Sequence, residues 1–177
     1  MKTNYFHKNI STIEKKEFWQ NLLADFLEPT QLSIPRKSKN SIYKQIDIKI
    51  SKHKTKQLDK FIQLYNLTLI DLMHAAWAVL LSKYSNTDNV IFGIYYNAQK
   101  VLPLRIQINN SLTFSGLLRH IKKLHQQLFK FGDINLQQIK TWLNLKNINL
   151  FSSMVNNTSS RFKNSGRKNI NPPILYF

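Results

Sequence analysis

Apolar residues recur every three or four positions in several stretches of the chain, which is the spacing of an amphipathic helix. The helices predicted in this way cover residues 12–27, 53–65, 68–84, 113–130 and 135–143. Between them lie short runs rich in β-branched and aromatic residues, which are typical of strands. The predicted strands cover residues 42–50, 90–96, 101–108 and 148–155. Because strands and helices alternate over the middle of the chain, we predict an α/β domain in which helices pack on a sheet.

Residues that cap helices support two of these assignments. Ser11 followed by Glu14 is typical of a capping box, in which the hydroxyl accepts a bond from a free backbone N–H and the carboxylate reaches back. Thr68 and Asp71 open the third helix with the same spacing. That third helix is apolar nearly all round, and a helix without a polar face must be buried between layers. We therefore expect both of its sides to be covered.

The pattern divides the chain of 177 residues into three segments. Residues 1–10 form a polar N-terminal extension, and residues 11–157 carry the helices and strands of one folded unit. Residues 158–177 are rich in Asn, Ser, Lys and Gly, a composition that predicts a disordered basic tail.

The chain is strongly basic, with 26 Lys and Arg against 9 Asp and Glu and a formal net charge of +17. Such a surface attracts nucleic acid, anionic lipid or an acidic protein. Lys, Asn and Ile are all abundant and have AT-rich codons, so we favour genomic base composition over a nucleic-acid role as the source of the lysine. The apolar stripe of helix 113–130 is no wider than a core-facing helix needs, which disfavours attachment to a membrane surface.

Several classes of site are excluded or disfavoured by composition. The chain has no cysteine, which excludes disulfides, thiolate nucleophiles and cysteine-bound metals. The N-terminus shows no apolar core of a secretory signal. The longest apolar run, Ala75 to Leu81, is far shorter than the about 20 residues of a membrane span. We therefore expect a cytoplasmic protein without a membrane span.

The histidines are the first candidates for chemistry, and there are five of them: His7, His53, His74, His120 and His125. No pair has the spacing of a zinc-binding helix, and His120 and His125 lie on different helical faces. His74 falls in the apolar helix, where a hydrogen-bonded core histidine is the favoured interpretation. Four glycines supply neither a nucleophile elbow nor a phosphate loop. We predict no catalytic residue, no metal site and no directly bound cofactor.

Six segments, read in order, resemble the condensation domains of nonribosomal peptide synthetases. They are Phe18–Leu23 with Leu32–Arg36 behind it, Leu67–Tyr84, Asp88–Gly93, Leu102–Arg105, Asn135–Ile139 and Leu150–Val155. The resemblance implies the C-terminal lobe of a chloramphenicol-acetyltransferase-like fold, a two-layer α/β sandwich, over residues 11–157. In the family, two lobes form a V and carrier-bound thioesters enter the cleft from opposite sides. The family reaction is amide formation between substrates tethered to phosphopantetheine on carrier proteins, and Arg105 is expected to brace the lobe.

Three departures from the family pattern limit what the resemblance implies. The His-His-x-x-x-Asp-Gly motif of the first lobe does not occur in these residues. After Gly93 the family crosses the cleft, whereas Asn97 to Lys100 runs here almost directly into the next strand. Segments beyond Leu150–Val155 are replaced by the basic tail. We therefore expect a truncated condensation domain that is inactive alone, and its status as an acyltransferase enzyme stays open.

Three roles remain at this point. The chain acts in peptide synthesis if a separate first lobe is supplied, or it is a non-enzymatic module that recruits an acidic carrier domain or another anionic partner. The third role, nucleic-acid binding, rests on charge alone. A lone lobe also exposes apolar surface that its partner would cover, so we expect self-association.

Overall fold

The computed structural model describes residues 10–32, 48–97, 100–109 and 111–156, with the backbone alone at residues 97 and 174–176. Five helices and four strands lie in these ranges. In chain order they are α1 (Thr12–Leu22), α2 (Lys52–Leu64), α3 (Leu69–Ser85), β1 (Asn89–Asn97), β2 (Lys100–Gln107), α4 (Phe114–Phe131), α5 (Leu136–Trp142), β3 (Met154–Asn156) and β4 (Ile174–Tyr176).

The strands form one mixed sheet in the order β2-β1-β3-β4. β1 and β2 make an antiparallel hairpin whose pairing runs from Asn89 opposite Gln107 to Asn97 opposite Lys100. β3 lies parallel to β1, and β4 pairs antiparallel with β3. β1 is therefore an interior strand bonded on both sides, and the chain passes from β1 to β2 without leaving the sheet.

One face of the hairpin forms the centre of the core. Alternate residues of a strand point to the same face, and the register places six buried apolar side chains together: Val90, Phe92, Ile94, Leu102, Leu104 and Ile106. The ring of Phe92 meets the ring of His74 at 5.7 Å, so this face packs against α3. α3 also contacts α4 and β3, and the Trp77 Nε1–H donates to Ser153 Oγ at 3.3 Å. The result is a layer of helices on a layer of strands.

Arg105 joins the end of α1 to the sheet. Its guanidinium donates to the carbonyl oxygens of Leu22 and Ala24, and its Nε–H donates to Asn89 Oδ1 at 2.9 Å. α1 is also bonded to the end of α4, where the Trp19 Nε1–H donates to the Phe131 carbonyl oxygen at 3.3 Å. These bonds agree with the structural role expected of Arg105.

The helices agree with the sequence pattern, apart from the end of α1. Predicted to reach residue 27, α1 ends at Leu22. Asp25 has a positive φ of 55°, which stops a right-handed helix, and Leu27 is 87% exposed beyond that turn. The other four helices begin and end within two residues of the predicted limits.

Two predicted strands are wrong in part. Residues 48–50 of the predicted strand 42–50 form no strand, and Ile48 is 79% exposed, because Ser51 already caps α2. Residues 42–47 lie outside the described residues. In the predicted strand 148–155, only Met154 and Val155 belong to β3, since Ile148 closes a turn onto Leu145.

β4 was not predicted, because Ile174–Tyr176 fall within the segment interpreted as a disordered tail. These three apolar residues form too short a run to indicate a strand within a segment that is otherwise rich in Asn, Ser, Lys and Gly. The rest of residues 158–177, like the extension 1–9, lies outside the described residues.

The expectation that α3 is covered on both sides is also wrong. Ala75, Ala78 and Leu81 are fully buried on its inner side. Leu69 and Tyr84 on the outer side are 51% and 65% exposed. No single helix among the described residues is long and apolar enough to cross a membrane; α2 and α3 reach that length only as a pair bent by 102°.

Candidate functional site

The contact between α3 and α4 contains a group of buried ionisable side chains that begins at the cap of α3. One oxygen of the Asp71 carboxylate, Oδ2, accepts from the Thr68 backbone N–H at 2.7 Å and from the Thr68 hydroxyl at 2.8 Å. The hydroxyl oxygen in turn accepts from the Asp71 backbone N–H at 3.2 Å. This is the capping box predicted from the sequence, and it leaves the second carboxylate oxygen free for another donor.

His125 of α4 supplies that donor. Its Nδ1 lies 2.6 Å from Asp71 Oδ1, and because an ionised carboxylate only accepts, Nδ1 carries the hydrogen. The other ring nitrogen, Nε2, lies 2.7 Å from Nδ1 of His74. We call these three side chains, Asp71, His125 and His74, the Asp–His–His chain.

The Asp–His–His chain is shielded from solvent. Asp71 and His74 are each 3% exposed, and the side chain of His125 is 19% exposed. Every buried side-chain nitrogen and oxygen in the described part of the protein has a hydrogen-bond partner. Buried polar networks of this kind stabilise and orient the elements they join only when all their members are bonded, as they are here.

Burial and hydrogen bonding shift two pKa values in this group. Burial alone would raise the pKa of Asp71, but the bonds from His125 and Thr68 outweigh it and lower the pKa to about 2. Burial lowers the pKa of His74 to about 3; His125 adds to this effect and Asp71 opposes it. At neutral pH Asp71 is therefore a carboxylate and His74 is a neutral imidazole.

A carboxylate that orients an imidazole is the arrangement of a general base, but the surroundings do not suit catalysis here. The terminal ring, His74, packs edge-on against Phe92 in the core. Two surface clefts among the described residues, of about 340 and 360 Å³, are lined by other residues. The first lies between the end of α1 and Trp142, and the second lies around Thr30 and Ser85. The Asp–His–His chain thus joins two helices rather than facing a substrate.

The remaining histidines lie apart from this group. His53 is exposed on α2, and His7 lies outside the described residues. His120 is exposed on α4; partial burial and Lys123 lower its pKa. The interpretation of His74 as a hydrogen-bonded core residue is confirmed, as is the prediction that His120 and His125 face different ways.

The pairing of Asp71 with His125 was not predicted from the sequence. A signal was present, since His125 stands on the buried stripe of α4 between Ile121 and Leu128. A polar residue in such a stripe requires a buried partner. No group of three metal-binding side chains suited to a metal ion occurs within the described residues.

The six segments that carry the family resemblance fall on the elements that build the described fold. They lie in α1 and the turn after it, in α3, β1, β2 and α5, and in the approach to β3. Residues 33–36 of the first segment lie outside the described residues. The β1–β2 hairpin, paired as far as Asn97 and Lys100, confirms that the chain does not cross a cleft between these strands.

Comparison with known proteins agrees with this assignment. A sequence model of the family described as "Condensation domain" matches residues 3–98, which is more than half of the chain. The chain belongs to the condensation-domain family.

Relatives of this condensation-domain chain include large synthases. It is 26% identical over 160 residues to a linear gramicidin synthase of Brevibacillus parabrevis, covering 78% of this chain and 2% of that protein. It is 24% identical over 151 residues to bacitracin synthase 3 of Bacillus licheniformis, covering 75% of this chain and 2% of that protein. The chain therefore spans only a small part of the curated relatives it matches.

Solved structures establish the fold. The X-domain from teicoplanin biosynthesis matches with a TM-score of 0.69 at 16% identity, over 83% of this chain and 37% of that one. The first condensation domain of the calcium-dependent antibiotic synthetase matches with a TM-score of 0.59 at 15% identity, over 74% of this chain and 34% of that one. The predicted chloramphenicol-acetyltransferase-like α/β fold is confirmed, and the chain spans about a third of each structure.

Proposed function

We propose that this chain is the C-terminal lobe of a condensation domain of a nonribosomal peptide synthetase, and that it takes part in amide formation only when a first lobe is supplied. The observation that supports this most directly is the order of the six segments on α1, α3, β1, β2, α5 and β3. The match to about a third of the length of two-lobed neighbours is consistent with a single lobe.

The proposed reaction requires a base that the described residues do not offer at a cleft. The acceptor amine attacks the carbonyl carbon of the donor thioester, the C–S bond breaks, and the thiolate leaves as the amine loses a proton. A catalytic histidine must lie within hydrogen-bond reach of that amine. The His-His-x-x-x-Asp-Gly run does not occur in the 177 residues, and His74 and His125 are committed to the contact between α3 and α4.

The contribution of this lobe is therefore structural in the proposal. Arg105 holds the end of α1 on the sheet, and Trp77 ties α3 to the approach of β3. Together they hold the helices on the sheet, and this rigid surface would contact the first lobe and the carrier-borne thioesters. Because the β1–β2 hairpin does not reach across to a first lobe, the two lobes would be held by other contacts, which makes their affinity the quantity to measure.

The first experiment is to determine the DNA sequence on both sides of this coding sequence. If it encodes an intact lobe with the His-His-x-x-x-Asp-Gly motif, the two lobes are produced together and supplied with donor and acceptor aminoacyl thioesters of N-acetylcysteamine. Mass spectrometry should detect an amide product from the pair and none from either lobe alone. Replacement of the second motif histidine by alanine in the first lobe is the matched control and should abolish the product.

Two outcomes contradict the catalytic proposal. One is an upstream sequence that is unrelated or that holds the first lobe interrupted by stop codons. The other is a stable complex of two intact lobes that yields no amide product.

The basic surface of α4 favours a second candidate, a module that binds an acidic carrier domain without catalysis. α4 carries Arg119, Lys122, Lys123 and Lys130 and no acidic residue. Binding to an acidic carrier domain should weaken as salt is raised. Arg119→Glu with Lys123→Glu should weaken it strongly, whereas Lys52→Glu with Lys56→Glu on α2 tests whether the charge must lie on α4. Equal losses from both pairs would indicate attraction by net charge alone.

A further inference from the structure

The number of protons that the Asp–His–His chain can bind without losing a hydrogen bond is limited. With both rings neutral, His125 Nδ1–H donates to Asp71 and His74 Nδ1–H donates to His125 Nε2. When one proton is added, the two rings hold three hydrogens on four nitrogens, so one of the two nitrogens that face each other can still accept. Both hydrogen bonds, of 2.6 and 2.7 Å, are kept in either state.

A second added proton has a different effect. Both nitrogens that face each other across the 2.7 Å contact would then carry hydrogen, so neither could accept, and two cationic rings would be in contact. The bond between His125 and His74 would be lost and replaced by repulsion. The contact between α3 and α4 therefore tolerates one added proton and not two.

Of the described groups around the two rings, Asp71 opposes that repulsion only in part. α3 contributes Asp71, whose Oδ2 is already occupied by Thr68. On α4, Lys122 lies one turn before His125 and is itself a cation. The sheet contributes the ring of Phe92 on an apolar face.

The same contact holds the start of α3 and the turn before it. Asp71 caps α3 and is bonded to α4 through His125. Lys122 of α4 donates to the carbonyl oxygen of Asn66, in the turn between α2 and α3. α2, on the other side of that turn, has no fully buried residue, and only Phe61 and Ile62 of its described side chains pack partly buried against the core, so the turn is one of the contacts that hold it.

We propose that the Asp–His–His chain is a pH-sensitive latch between α3 and α4, closed with no added proton or with one and opened by a second, so that acid releases the start of α3 and the turn to α2. This inference does not depend on the catalytic proposal. It uses only contacts within the lobe.

The sign of the pH dependence follows from His74. Its pKa is lowered in the folded state, from an ordinary value of 6.5 to about 3. Its contribution to stability is therefore complete above about pH 6.5 and is lost as the pH falls from there towards 3. Asp71, with a pKa lowered to about 2, contributes its share above about pH 3.8 and loses it only below that value.

The test compares urea unfolding of the whole chain at pH 7.5 and pH 5.0 in the wild type, His74→Gln and His53→Gln. A glutamine at 74 donates to His125 Nε2 but does not titrate. Between these pH values the unfolding constant of the wild type should rise about 30-fold more than that of His74→Gln, as linkage gives for such a shift. His53→Gln, exposed on α2, should follow the wild type. Equal pH dependence in the wild type and His74→Gln overturns the proposal.

Two measurements on the wild type decide the matter if His74→Gln fails to fold. Long-range ¹H–¹⁵N spectra should show His74 neutral wherever the contact between α3 and α4 is intact; two cationic rings above pH 5 with residues 66–72 still protected from exchange overturn the proposal. When the pH is lowered to 5.0, amide protection factors should fall more at residues 66–72 than in β1 and β2. A uniform fall over the whole chain contradicts a local latch.

Discussion

The ring of Phe151 occupies the space beside Gly93: a β-carbon at position 93 would lie 2.6 Å from Phe151 Cε2 and 2.7 Å from Met154 Cγ. Gly93 is also the residue of β1 that is paired with Met154 of β3. The parallel pairing of β3 with the hairpin is therefore built around the absence of a side chain. Residues 150–155, one of the family segments, close onto β1 at this point.

Gly93→Ala should destabilise the protein by about 1–3 kcal/mol, because the new methyl group overlaps the rigid ring of Phe151 and the Cγ atom of Met154. Urea unfolding measures the loss. Phe151→Ala in the same chain should recover part of it. Gly116→Ala in the first turn of α4 is the control, since its β-carbon would meet nothing closer than 3.1 Å and alanine favours a helix. A Gly93→Ala protein as stable as the wild type would show that this packing is loose.

Replacement by lysine should affect stability very differently at two adjacent leucines of α3. Leu80 is 47% exposed and Leu81 is fully buried. Leu80→Lys should change the free energy of unfolding by less than about 0.5 kcal/mol, whereas Leu81→Lys should cost several kcal/mol or prevent folding.

The same pair tests the expected self-association through the outer side of α3. If Leu69, Leu80 and Tyr84 form the contact, Leu80→Lys should shift the protein towards monomer in sedimentation velocity experiments. An unchanged distribution would place any self-association elsewhere on the surface.

Arg105→Ala should cost about 1–3 kcal/mol, since three acceptors around the end of α1 and Asn89 lose a charged donor. The fluorescence of the buried Trp19 on α1 should also shift as that helix loosens. Lys100→Ala, on the same strand, removes an ion pair with the exposed Asp133. It should cost no more than about 1 kcal/mol, and a larger loss there than at Arg105 would contradict the assigned brace.

The two capping boxes should contribute different amounts to stability although their sequence spacing is the same. Thr68→Ala removes a cap whose carboxylate is buried and also bonded to His125, so we expect a loss at the upper end of the about 0.5–2 kcal/mol range for such caps. Ser11→Ala, at an exposed cap, should lie at the lower end. Thermal unfolding of both variants measures the difference, and equal losses would mean that burial adds nothing to the cap.

Most helices were predictable because their signals are local. Thr68 and Asp71 lie within one turn of each other, and the structure places both in the cap that their spacing indicated. The strand 90–96 was also predictable from its β-branched and aromatic residues, but this run is apolar at nearly every position and does not indicate which face lies in the core. The early end of α1 was not, because the positive φ of Asp25 is set by where the next segment must go.

Features that depend on residues far apart in the chain could not be predicted from the sequence. β3 begins at Met154, which is paired with Gly93, and the Ser153 carbonyl oxygen just before it accepts from the Gly93 N–H at 2.8 Å; both contacts depend on Gly93, which lies 60 positions before Ser153 in the chain. Asp71 and His125 are 54 residues apart, so no window along the chain contains both. The family resemblance was recognised because the order of segments survives, but none of the six segments contains His125.

The directness of the β1–β2 hairpin has a consequence for synthesis on the ribosome. All the residues of the hairpin have been made once Gln107 is added, whereas its parallel neighbour begins only at Met154. At about 5–20 residues per second, the inner edge of β1 stays unpaired for roughly 2–9 seconds. During that time another nascent chain can add a strand to it, so the yield of native protein should depend on how fast translation covers this interval.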